Sequence, residues 1–162
     1  FCGGTLCDEA MVIATAALGP VASNASLEGE WGPGADLRAP GHVMIDFGDG
    51  RLTAGRPHPM IDPGLRLEQF VHDVADPGTA VVLLDVVLGY GAHPDPASGV
   101  AEELRAARSR SVDTPVVVAL IGSPRDPQGL EGQARALQDA GAHVFLSNAA
   151  AARHAVALVE GG

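Results

Sequence analysis

Lysine is absent from this sequence, and all ten cations of its 162 residues are arginine. With 20 acidic residues the formal net charge is −10. A chain this acidic, without a Lys/Arg cluster, lacks the basic patch that nucleic acid or an anionic membrane surface requires. Beside abundant Ala, Gly and Arg, the missing lysine reads as genome composition rather than chemistry. Cysteine is scarce: Cys2 and Cys7 are too few and too close for a secreted disulfide framework, so a reducing cytoplasm is the expected location. No apolar run reaches the roughly 18 residues of a membrane span, and no signal-peptide pattern occurs. Walker and GxGxxG motifs are missing as well, which leaves no nucleotide-phosphate signature here.

What is present describes a compact globule. Apolar residues make up 46% and charged residues 19%, enough to bury a core in one domain over 1–162. The first residue, Phe1, already lies in an apolar strand-like segment, so the sequence reads as a fragment of a longer polypeptide. Four further segments carry the pattern of buried strands: "HVMIDF" from His42, "AVVLLDVVL" from Ala80, "PVVVALI" from Pro115 and "HVFLS" from His143. The middle two are continuous β-branched and aliphatic runs, which suit strands covered on both faces.

Helical spacing fills the intervals. Asp62-Pro63, Asp95-Pro96 and Asp126-Pro127 each place an acceptor before a proline, predicting three helix starts at those pairs. Thr5 is expected to cap a first helix at about 6–18, with Asp8 in a capping-box-like place and Gly19-Pro20 as its stop. Asn148 is expected to cap the last helix, about 149–160. With Phe1–Gly3 as the stub of a first strand, strands and helices alternate strictly. The predicted fold is α/β and flavodoxin-like: a five-stranded, mostly parallel sheet between two helical layers with right-handed crossovers. Residues 21–41, rich in Gly, Pro, Ala and Ser, are expected to form a surface excursion.

Ligands of such folds sit beyond the carboxyl ends of the strands. Gly3–Thr5, Gly48–Ile61 and Gly89–Asp95 are expected to share that edge, joined by "GSPRD" at 122–126 if strand order permits. His42 and His143 begin their strands and belong to the opposite edge, which leaves His58 and His93 as the histidines of interest. Gly3, Gly4 and Thr5 turn into a helix whose first N–H groups and positive dipole end suit an anion; a plain tight turn remains the alternative. In "GRPHPMIDPG", Arg56 and His58 each precede a proline that biases them toward extended backbone. Arg56 offers a planar fork for carboxylate or phosphate, and His58 a donor or proton carrier for the reacting group. Against this stands a stiff surface loop with Arg56 paired to Asp49 or Asp62.

Gly89 and Gly91 permit close approach of a ligand to backbone, with His93 as a second donor or merely an exposed turn residue. Cys7 reads as a small packing residue. Asp46 and Asp85, near or within apolar strands, are expected to hold loop N–H groups. No His-x-His or His-x₃-His spacing supports a metal site, and none is expected.

"FCGGTLCDEA", "IDFGDGRLTAGRPHPMIDP" and "VVLLDVVLGYGAHPDP" together resemble the carboxy-terminal part of FdrA-type proteins, relatives of succinyl-CoA synthetase once called acyl-CoA synthetases. The resemblance covers nearly the whole chain. "GTLCDE" from Gly4 looks like the Gly-Thr-Leu-x-x-Glu opening of the synthetase's flavodoxin-like domains, and the Gly89 loop looks like their substrate-carboxylate site. It implies a domain that binds a small carboxylate, acyl or carbamoyl group and phosphate at the carboxyl edge. The assembly it implies is a CoA ligase or an oxamate carbamoyltransferase, with the isolated domain inactive. CoA or nucleotide would bind elsewhere in the protein, and this domain would hold no cofactor of its own. Partners would be the remaining domains and partner subunits, with a homodimer left open. The synthetase's Gly-His-Ala-Gly phosphohistidine motif is missing: the corresponding region reads "GSPRDPQGLEGQA", without a histidine. A subunit-docking domain without catalysis is the alternative.

Overall fold

A computed structural model describes residues 1–25 and 37–161. The elements run in the order α1 (Gly4–Leu18), β1 (Val21–Ser23), β2 (His42–Met44), α2 (Gly50–Thr53), α3 (Gly64–Ala75), β3 (Val82–Val87), α4 (Ser98–Ser109), β4 (Val116–Ile121), α5 (Leu130–Asp139), β5 (His143–Phe145) and α6 (Asn148–Glu160). Every strand pairing among them is parallel.

The fold is the α/β architecture expected, with one difference. In place of a single five-stranded sheet stand a two-stranded sheet, β1-β2, and a three-stranded sheet, β3-β4-β5. The chain start lies between them. The Phe1 backbone nitrogen donates to Ile45 O (2.7 Å), and Phe47 N donates to Phe1 O (3.0 Å). On the other side, Cys2 N donates to both carboxylate oxygens of Asp85 at 2.9 and 3.1 Å. A side chain thus takes the place of a backbone rung, which splits the pattern. Residues 21–23, assigned above to a surface excursion, form β1 instead. Of that stretch, 26–36 lie outside the described residues.

β4 is buried along Val116–Leu120 because helices cover both of its faces. On one face Val116, Val118 and Leu120 join Val100 and Leu104 of α4, Leu137 of α5, and Phe70 and Val74 of α3. On the other, Val117 and Ala119 meet Ala151 and Ala155 of α6. Small residues let α1 and α6 approach closely, with Ala10, Cys7 and Ala152 in one cluster. Truncating Leu104 or Leu120 to Ala would cost about 2–5 kcal/mol.

Two of the three Asp-Pro helix starts differ from the expected ones. α3 begins at Gly64, directly after Asp62-Pro63, and Asp62 Oδ1 accepts from Gly64 N at its first turn as expected. α4 and α5 begin at Ser98 and Leu130, downstream of their pairs. Their aspartates are engaged elsewhere: Asp95 Oδ1 accepts from Gln133 Nε2 and Asp126 Oδ2 from Ser123 N. Gly3, not Thr5, precedes α1, with extended backbone and no side-chain cap. Ser147 rather than Asn148 caps α6, its Oγ accepting from Ala150 N at 3.3 Å. No helix among the described residues is long and apolar enough to cross a membrane.

Candidate functional site

Because all strands run parallel, the segments after Cys2, β2, β3 and β4 emerge at one edge. Hydrogen bonds tie these loops together. His93 N donates to Met60 O at 2.7 Å, joining the Gly89–Asp95 loop to the proline-rich one. Gln128, from the fourth loop, accepts from Gly89 N (3.1 Å) and donates to Gly89 O (2.8 Å) and His93 O (3.2 Å). Gln133 accepts from Ala97 N and donates to Asp95. The fourth loop therefore belongs to the edge. His42 and His143 start their strands at the other, where His143 Nδ1 and His154 Nε2 lie 3.0 Å apart.

The tightest convergence surrounds Gly48. A Cβ there would stand 2.8 Å from Cys2 O, 2.9 Å from His58 Nε2 and 3.0 Å from Asp46 Oδ1. Only glycine lets these three groups close on one point. Asp46 Oδ1 accepts from Gly48 N at 2.7 Å, holding a loop N–H as expected. Its Oδ2 lies 3.5 Å from where a Cβ on Gly4 would sit, so the carboxylate faces the first turn of α1. Burial raises the Asp46 pKa, opposed by the Gly48 N–H bond and more weakly by His58. Asn24 clamps the same backbone, donating to Asp46 O (2.7 Å) and accepting from Asp46 N (2.8 Å).

His58 is half-buried, and its Nδ1 accepts from Met60 N at 3.3 Å. In the neutral ring that leaves the proton on Nε2, the nitrogen beside Gly48. Its carbonyl accepts from Ile61 N and Asp62 N, winding the loop into a tight turn.

The other expected residues sit apart from this point to different degrees. Thr5 is exposed in the first turn of α1, and Gly3 and Gly4 are half-buried. Gly89 and Gly91 have φ of 141° and 83°, and a Cβ on either would meet nothing within 4 Å. Their conformations require glycine, and their outer side is open. His93 directs Nδ1 at its own loop, accepting from Asp95 N. Arg56 is exposed and lines a separate hollow of about 250 Å³ with Phe47, Pro59, Asp62 and Glu68, which His58 does not line. It pairs with neither Asp49, which Arg51 holds, nor Asp62.

Sequence reasoning missed Asn24, Arg66, Gln128 and Gln133. Arg66 reaches under the site, its Nη1 donating to Asp85 Oδ1 (2.7 Å) and Asp85 O (2.9 Å), with Cys2 Sγ at 2.7 Å. Nothing in local spacing marks these residues, since their partners lie 19 to 64 positions away for Arg66 and 35 to 39 for the glutamines. No group of three His, Cys, Asp or Glu able to hold a metal ion occurs among the described residues.

Comparison with known proteins adds two findings. The family model described as CoA-ligase matches residues 1–158. YahF of Escherichia coli (strain K12), an uncharacterized protein, is 37% identical over 145 residues, covering 87% of this chain and 28% of YahF. The chain thus spans less than a third of the length of that curated relative.

Proposed function

The chain belongs to the CoA-ligase family, and on that premise we propose that it is the carboxy-terminal domain of an FdrA-type protein that holds a small carboxylate, acyl or carbamoyl group, with phosphate, at the carboxyl edge. The observation that carries this reading is the meeting of His58 Nε2, Asp46 and the Cys2 carbonyl around Gly48, beside the start of α1. His58 would donate a hydrogen bond from Nε2 to a substrate oxygen. The N–H groups at Gly4 and Thr5 and the open side of Gly89 and Gly91 would receive the anionic group. Asp46 already faces that helix end, so a bound anion must displace its influence or be met with Asp46 protonated. Arg56 would act as a rim clamp when the loop is covered by another domain. CoA or nucleotide would be bound by the rest of the polypeptide, in a cytoplasmic assembly such as an oxamate carbamoyltransferase.

A second reading has its own support. Ile61 (55% exposed), Tyr90 (89%) and Leu146 (66%) are large apolar side chains in loops at this same edge. They suit the docking of a partner domain over the loops, which would also enclose the substrate.

Amide shifts of the domain during titration with phosphate, oxamate and succinate test the first reading. Shifts at Gly4, Thr5 and Gly91 are expected. If these amides stay silent at high anion concentration while Tyr90 and Ile61 become protected in the full-length protein, docking replaces ligand binding.

A further inference from the structure

The hollow beside the proline-rich loop combines apolar walls with two arginines. It measures about 250 Å³, and Phe47, Leu52, Pro59 and Leu65 wall it. Phe47 and Pro59 are buried, Leu52 and Leu65 half-buried. Arg56 stands exposed at the mouth, and Arg66, only 8% exposed, lies deep.

Both arginines have donors to spare. The Arg56 guanidinium makes no hydrogen bond or ion pair among the described residues. On Arg66 only Nη1 is engaged, by Asp85 and Cys2 Sγ; Nε and Nη2 have no partner among the described residues. Among those residues, the unpartnered side-chain atoms sealed from solvent belong to Asp8 and Asn148 alone. Nε and Nη2 of Arg66 therefore reach open space. The backbone adds further donors, because the first turn of α3, Gly64 to Arg66, also lines the hollow. Gly64 N is held by Asp62, whereas Leu65 N and Arg66 N have no acceptor among the described residues. Free helix-start N–H groups and the positive dipole end favour an anion there. The deep guanidinium with unspent donors supplies an independent reason for the same charge.

The mouth limits how much charge can enter. Asp62 and Glu68 are exposed beside the opening, and two carboxylates repel a dianion more strongly than a monoanion. A planar carboxylate matches the guanidinium fork, which leaves the apolar walls for a hydrocarbon body. The volume falls below the roughly 300–1,000 Å³ of sites for drug-sized ligands, so that body must be short.

We propose that this hollow is a binding site for a small organic monocarboxylate, its carboxylate held by Arg56 and Arg66 at the start of α3 and its body against Phe47 and Leu52. The site is separate from the convergence around Gly48, since His58 does not line it. It does not depend on which substrate that convergence takes. Arg56 clamps an anion here without a covering domain.

NMR of backbone amides and arginine Nε–H groups during titration with butyrate, with inorganic phosphate at equal ionic strength as the contrast, tests this. Saturable shifts are expected at Leu65 N, Arg66 N and Arg56 Nε with butyrate and not with phosphate. Arg56 is exposed and bonds nothing, so Arg56→Gln keeps the fold while weakening butyrate binding by at least roughly tenfold. Arg56→Lys, which retains the charge, should weaken it less. Silence at these three groups up to roughly 100 mM butyrate, beyond the range of even a weak site, overturns the proposal. So does an equal response to phosphate, or butyrate binding that Arg56→Gln leaves unchanged. Gly4, Thr5 and Gly91 report on the Gly48 edge separately. Their silence beside a response at Leu65 supports the hollow as a site of its own, and a response at those three alone overturns it.

Discussion

Arg66 of α3 and Asp85 of β3 form a buried ion pair, Nη1 to Oδ1 at 2.7 Å, with the aspartate fully inaccessible and the arginine 8% exposed. Asp85 also receives Cys2 N, so one carboxylate joins a helix, the three-stranded sheet and the segment that opens α1. Removing one partner leaves the other charge buried and uncompensated. Arg66→Met is therefore expected to destabilise by about 3–5 kcal/mol, or about 10 °C in Tm for a domain this size. Adding Asp85→Asn to it should cost less than the sum of the two single changes. Thermal melts of the three variants check this, and a Tm change under about 2 °C for Arg66→Met would refute it.

Gly48→Ala should destabilise by about 1–3 kcal/mol, because the added methyl meets the Cys2 carbonyl and cannot push a backbone aside cheaply. Gly99→Ala supplies the contrast. There the nearest atom, at 2.7 Å, is Cδ1 at the flexible end of Leu67. A gain in helix propensity of up to about 1 kcal/mol offsets the repacking. Urea unfolding should rank Gly48→Ala well below Gly99→Ala; the reverse order would show that the Gly48 site is soft.

Asp46 titrates above its ordinary value because of burial. A raised native pKa means that the folded protein takes up the proton more readily than the unfolded chain. The contribution of this group to stability is present below the unfolded value and is lost as pH rises through the native one. Asp46→Asn retains an acceptor for Gly48 N, so it should equal the wild type in acid and exceed it at neutral pH. Melting temperatures taken from pH 3 to 7 read the difference, and a difference that is flat or of opposite sign would exclude the burial effect.

Burial pushes the Cys2 thiol up to about 12 and the Cys7 thiol up to about 11. Arg66 pulls Cys2 down, but not enough to offset desolvation. Neither thiol should react with an aromatic disulfide reagent at pH 8 in the native protein, and both should react in denaturant. Prompt labelling of one thiol before unfolding would identify a reactive cysteine and end its reading as a packing residue.

His58→Asn tests the proposed role of the imidazole. Losing one hydrogen bond to a transition-state oxyanion typically costs about 2.7–4 kcal/mol, or roughly 100- to 1000-fold in rate. Turnover of the full assembly is expected to fall at least roughly tenfold. Among the described residues the half-buried ring bonds only the nearby Met60 N, so Tm should barely move. Unchanged turnover would remove His58 from the chemistry, and a large loss of Tm would make it a structural pin.

The sequence by itself determined the α/β class, the parallel direction of the strands and the edge at which the loops meet. Its continuous apolar runs fit only strands covered on both faces, and its alternation of strands and helices forces parallel crossovers. These are local periodicities, complete within a dozen residues. It also isolated His58 and His93 from the other histidines, because position relative to a strand end is readable along the chain. Tertiary structure decided the rest. The Asp-Pro pairs read as caps locally, yet Asp95 bonds Gln133 and the helix starts later. Asp85 read as a holder of loop N–H groups, yet its ion partner is an arginine 19 positions earlier that helical spacing gave no reason to select. Arg56 and His58 are two residues apart in sequence, and only the winding of the loop sends one to the outer hollow and the other toward Gly48. Such pairings depend on which distant backbone arrives at 3 Å, and no short-range pattern of residue types encodes that distance.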